Sequence, residues 1–167
     1  MGRLANRRIT DATYAPDPRA AITRRLDSYA PGDTDLAWSR ITFWRALLAS
    51  ALDVPPYEPI ESVTVSGLAE EPALDILAGW LAAKLECPIH RKTGELKVVL
   101  HRPSVSVGIE RPQTGRTATL TRTSEPDQRF ALARRETRDC LAEELRRLDA
   151  DEVYAEALAG IGKVVYE

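Results

Sequence analysis

The chain has 167 residues, 23 basic and 25 acidic side chains, a net charge of −2 and 44% hydrophobic residues. A chain of this length suits one domain that buries about 70% of the surface its unfolded form exposes, so neither a disulfide nor a metal is needed to hold a core. The near-balance of charge speaks against a nucleic-acid binder driven by counterion release. No apolar stretch approaches the ~20 residues of a membrane span.

In chain order, Met1 to Ala12 is polar, lacks the apolar core of a secretory leader, and carries Asn6 where a myristoylation motif needs Ser or Thr. Asp17-Pro18 reads as N-cap and first residue of a helix running to about Tyr29. Pro31-Gly32 is a turn, and Asp33, Thr34 and Asp35 offer alternative caps for a second helix over Leu36 to Leu52. Pro55-Pro56 and Pro59 end that helix in an extended linker.

Ser62 to Ser66 is β-branched and reads as a strand closed by Gly67. Pro72 opens a helix over Ala73 to Glu86. Leu74, Ile76, Leu77, Trp80, Leu81 and Leu85 cover most of its circumference, so it is expected to be buried on more than one side. Cys87-Pro88 stops it. An antiparallel meander follows over about residues 96–132, with runs at Leu96 to His101, Val105 to Ile109, Ala118 to Leu120 and Phe130 to Leu132. Cys140, Leu141, Leu145 and Leu148 predict an apolar stripe on a helix over Glu136 to Leu148. Asp149 and Glu152 form a capping box for a final helix carrying Val153, Tyr154, Ala157 and Leu158. The fold class is α+β, a single domain with a mainly antiparallel sheet and N-terminal, central and C-terminal helices packed on it.

Little here points to catalysis. Cys87 and Cys140 form no CxxC pair and read as reduced thiols of a cytosolic protein. His90, placed in a polar turn, and His101, at a strand end, belong to no metal spacing and read as surface residues. No GxSxG, P-loop or GxGxxG occurs, so no catalytic residue, metal ligand or cofactor is assigned. Glu70-Glu71 precedes a helix, where acids are favourable, and Glu143-Glu144 is placed on a polar helix face. The doublets Arg7-Arg8, Arg24-Arg25, Arg134-Arg135 and Arg146-Arg147 read as solvated. If they converge, they would form a sugar-phosphate or nucleotide effector site.

The segment Tyr29 to Arg45, YAPGDTDLAWSRITFWR, carries the most information. On a helical wheel Leu36, Ala37, Ile41, Trp44, Leu47, Leu48, Ala51 and Leu52 share one arc, with Arg40 inside it. Trp38 and Arg45 lie on its border. A guanidinium in an apolar stripe needs an anion, because an uncompensated buried charge is costly. Asp33, Asp35 and Asp11 are candidate partners, and a Trp face is another. Arg40 then either locks the fold internally or is presented to a partner protein or anionic ligand. The free N–H groups at the start of this helix favour an anion, while two aspartates at the same end oppose it. The candidate recognition surface is Gly32, Asp33, Thr34, Asp35, Trp38, Arg40 and Arg45.

Tyr29 to Trp38, followed by Arg40, Thr42, Trp44 and Arg45, resembles a segment of the OpcA family of glucose-6-phosphate dehydrogenase assembly proteins. Arg7 to Ala12, Pro55 to Pro59, Cys140 to Asp149 and Asp151 to Tyr154 agree with the same family in the same order. The likeness spans roughly residues 4–160 and covers the C-terminal half of the family pattern; the family's N-terminal α/β region is absent from this sequence. Glu86 to Val99 agrees least, which leaves that stretch without a role. The resemblance implies a non-enzymatic, cytoplasmic partner of glucose-6-phosphate dehydrogenase that promotes its assembly or activity in the oxidative pentose phosphate pathway. A sugar-phosphate or nucleotide effector-binding module is the alternative.

Overall fold

Aspartates open several of the structure's helical segments. In the computed structural model, which describes residues 7–167, Asp17 accepts the Ala20 N–H at 2.9 Å to cap α1 (Pro18–Asp27). Asp11 caps the 3-10 turn Ala12–Tyr14, Asp35 caps α2 (Leu36–Arg40), and Asp151 caps α6 (Glu152–Gly160) through the Tyr154 N–H at 3.0 Å. Each carboxylate satisfies a donor that the helix itself leaves unpaired. The last cap is Asp151 rather than the expected Asp149–Glu152 box. The readings made on Met1 to Asn6 lie outside the described residues.

The predicted helix over Leu36–Leu52 is two helices, α2 and α3 (Thr42–Leu52), joined at Ile41 with φ −98° and ψ 7°. Two short strands, β1 (Ile9–Thr10) and β2 (Thr34–Asp35), pair in parallel and fasten the N-terminal segment to the start of α2.

The main sheet has seven strands. These are β3 (Ser62–Gly67), β4 (Ile89–Thr93), β5 (Lys97–His101), β6 (Ser106–Glu110), β7 (Thr117–Arg122), β8 (Gln128–Ala131) and β9 (Val165–Tyr166), in the order β8-β7-β6-β5-β3-β4-β9. From β8 to β3 every pairing is antiparallel, as the meander predicts; β3–β4 and β4–β9 are parallel. α4 (Pro72–Lys84) makes the crossover between parallel β3 and β4. Val63, Val65, Ile89, Val98, Leu100, Val107 and Ile109 alternate onto the buried face, while Ser62, Thr64, Ser66, His101 and Ser106 take the other.

β4 corrects the placement of His90 in a polar turn. Its sequence, IHRKT, hides the period of two because Arg91 occupies an inward position. Arg91 is tolerated there because Asp75 of α4 lies 3.3 Å from its Nε and the Gly67, Leu68 and Lys92 carbonyls accept from its guanidinium.

α4 is enclosed, as its sequence predicts, with α6 across one side. Two glycines set that crossing. A Cβ at Gly160 would stand 2.0 Å from the Gly79 carbonyl oxygen, and one at Gly79 would stand 2.2 Å from that of Ala157. Only hydrogen lets the two backbones approach this closely.

α5 (Thr137–Arg146) buries Cys140 as predicted but is rotated so that the leucines of the expected stripe are not. Its buried positions are Cys140 and Glu144, while Leu141 and Leu145 face solvent and Leu148, just beyond the helix, is 92% exposed. Glu144 was expected on a polar face. It is fully buried because the Ser39 hydroxyl donates to one oxygen and Arg7 Nη2 to the other at 3.3 Å. Thr42 Oγ1 donates to the neighbouring Glu143 at 2.9 Å, so α5 docks on the α2–α3 junction through polar contacts.

Candidate functional site

The structure divides the Tyr29–Arg45 segment more sharply than the wheel did. Asp35 is wholly buried and serves as a hub. It accepts from the Ala37 N–H at 3.0 Å, the Ala12 N–H at 3.1 Å and Thr10 Oγ1 at 2.7 Å, and Arg25 Nε lies 3.8 Å away. Asp33 pairs with Arg8 and closes the turn by accepting the Ala30 N–H at 2.9 Å. Gly32 adopts φ +95°, the left-handed region that the turn requires. The anion site considered at the start of α2 is therefore closed. α2 has five residues, and a buried carboxylate already occupies its N-terminus.

Trp38 was expected on the border and is completely buried. Its indole N–H donates to Asp151 at 2.8 Å, its ring lies 5.9 Å from that of Tyr154, and the Arg45 guanidinium stacks 3.5 Å from its centroid. Burial, and then repulsion from Arg147, pull Arg45 down to about 10. Thr34 is also internal. Thr34, Asp35 and Trp38 are thus buried within the chain, whereas Gly32, Asp33, Arg40 and Arg45 keep partial exposure.

Arg40 finds its anion in Asp11, one of the three aspartates the sequence offered. Nη1 and Nη2 each donate to a different Asp11 oxygen at 2.7 Å, and Thr13 and Thr137 accept at 3.1 and 3.2 Å. This two-pronged geometry is the strongest that arginine makes with a carboxylate. Burial pushes the Asp11 carboxyl up, but the hydrogen bonds and charge of Arg40 outweigh it and hold Asp11 below its ordinary value.

Arg40 also lines the wall of a cleft of about 310 Å³. The cleft lies between the α2–α3 junction, the first turn of α4, the ends of β5 and β6, and the first turn of α5. The paired arginines Arg40 and Arg135 share it with Arg111 and Arg134. Of the four sequence doublets only Arg134-Arg135 reaches it. Arg111 has no marker in the sequence, standing between the alternating run that ends at Glu110 and the turn that begins at Pro112. In the fold it is 6% exposed. Among the described residues, no three His, Cys, Asp or Glu side chains stand together to hold a metal ion. Nor is any helix there long and apolar enough to cross a membrane.

The structure is an α+β domain whose most distinctive segment is an internally braced Trp–Arg helix pair, with leucines of α5 exposed beside it. Residues 31–158 match the family described as the C-terminal domain of the glucose-6-phosphate dehydrogenase subunit, and the chain belongs to that family. No curated protein and no solved structure matches it.

Proposed function

We propose that this chain is a non-catalytic subunit that binds glucose-6-phosphate dehydrogenase in the cytoplasm and promotes its oligomerisation or activity in the oxidative pentose phosphate pathway. The observation that carries this reading is the match of residues 31–158 to the dehydrogenase-subunit family. We further propose that the described residues work as one domain and that the docking face is the outer side of α5. Leu141 and Leu145, one turn apart on α5, share an exposed stripe roughly 100° around the helix from Cys140 and Glu144, and Leu148 adds a further exposed leucine just past the helix end. An apolar ridge on an anchored helix is relieved of contact with water when a partner covers it. Gly32, Asp33, Arg40 and Arg45 are candidates for the polar rim.

The test is dehydrogenase activity and oligomeric state, measured with and without the chain. The wild-type chain is expected to raise activity or enlarge the oligomer. A Leu145→Glu/Leu148→Glu variant is expected to melt as the wild type does and to do neither. A dehydrogenase unaffected by the wild-type chain would overturn the assignment.

A further inference from the structure

Two arginines in the cleft have no carboxylate partner among the described residues. Arg111 donates Nη1 to the Leu132 carbonyl at 2.9 Å, its Nε has no acceptor, and its guanidinium carbon lies 5.7 Å from the Trp44 ring centroid. Burial, reinforced by the charge of Arg134, depresses its pKa despite the attraction of Glu71. Among the described residues Arg134 donates only to Gln113 Oε1, at 3.2 Å. A buried guanidinium that keeps its charge without an anion is costly, and an anion entering the cleft removes that cost.

Two helices begin at the same place. Glu71, Ala73 and Leu74 of the α4 start and Glu136 and Thr137 of the α5 start line the cleft, and neither helix is capped by a side chain. Their first-turn N–H groups and dipoles favour negative charge. Glu71 and Glu136 are the acids on the wall, and neither forms an ion pair with Arg111 or Arg134. Ile41, Trp44, Leu74 and Leu96 supply an apolar side. At about 310 Å³ the cleft is at the small end of the ~300–1,000 Å³ typical of ligand sites.

We propose that this cleft binds a small phosphomonoester, its phosphoryl oxygens on Arg111, Arg134 and the first turn of α5 and its carbon skeleton against Trp44 and Leu74. A phosphoryl group suits donors arriving from several directions, because its oxygens can accept from each of them.

Calorimetric titration of the full chain with glucose 6-phosphate, inorganic phosphate and glucose tests this without the dehydrogenase, so its outcome is separate from that of the activity assay. Glucose 6-phosphate is expected to bind saturably and more tightly than inorganic phosphate, and glucose not at all. Arg134→Ala, at an exposed position, should leave melting unchanged and weaken glucose 6-phosphate binding by about tenfold. Arg111→Lys, which keeps the charge and loses the planar fork, should weaken it too. Failure of glucose 6-phosphate to bind would overturn the proposal. So would equal affinity for phosphate or glucose, or wild-type affinity in Arg134→Ala.

Discussion

Arg40 sits on an apolar helix face and keeps its charge because Asp11 meets both of its terminal nitrogens. The pair ties the N-terminal segment to α2, with Thr137 extending the tie to α5. Its side chains are 14% and 17% exposed, so removing Arg40 leaves a largely desolvated carboxylate. Arg40→Ala is expected to cost roughly 2–3 kcal/mol in urea denaturation at neutral pH, somewhat below the ~3–5 kcal/mol of a fully buried pair. The pH dependence has a definite sign. Asp11 titrates lower in the folded chain than an ordinary carboxylate, so its contribution is present above the unfolded value and is lost as pH falls through the folded one. Asp11→Asn should therefore be less stable near pH 7 and lose less stability on acidification, which a denaturation series from neutral to acid pH would read. Arg45 on the indole of Trp38 brings a cation to the edge of the same buried block.

Among the elements, those with local signals were readable in advance. Asp17 and Pro18 marked the start of α1 and Pro72 that of α4, alternation marked the middle strands of the meander, and β-branching marked β3. What escaped depends on partners distant in sequence. β4 is an inward strand whose apolar slot is filled by Arg91, tolerable only because Asp75 waits on α4. α5 is rotated from its expected setting because Ser39 and Arg7 satisfy a buried Glu144, which carries Leu141 and Leu145 out of the interface. The break at Ile41 and the burial of Trp38 under Tyr154 were likewise invisible on a wheel drawn for one continuous helix. Arg40's need for an anion could be read from its position; the cleft around Arg111 could not, since six separate segments build it. The α4–α6 crossing offers a direct check. Gly160→Ala places a methyl group 2.0 Å from a backbone oxygen that cannot swing aside. It is expected to cost about 3 kcal/mol, lowering Tm by roughly 6–12 °C in a calorimetric scan.

For the whole molecule, the Arg91–Asp75 pair joins the sheet to the enclosed α4, ion pairs tie the N-terminal segment to α2 and α5, and the Trp38–Tyr154 contact holds α2 against α6. A domain tied together in this way can hold an outward leucine ridge and a basic cleft in constant relation to each other. The ridge and the cleft open on different groups of residues, so a protein partner and a small anion need not compete for the same side chains. Association with glucose-6-phosphate dehydrogenase is the role proposed for this chain. Light scattering coupled to size-exclusion chromatography, on the chain mixed with the dehydrogenase of the same organism, tests it most directly. A co-eluting species heavier than the dehydrogenase alone is expected, and the Leu145→Glu/Leu148→Glu variant is expected not to form it. Two separate peaks at their unmixed masses with the wild-type chain would contradict it.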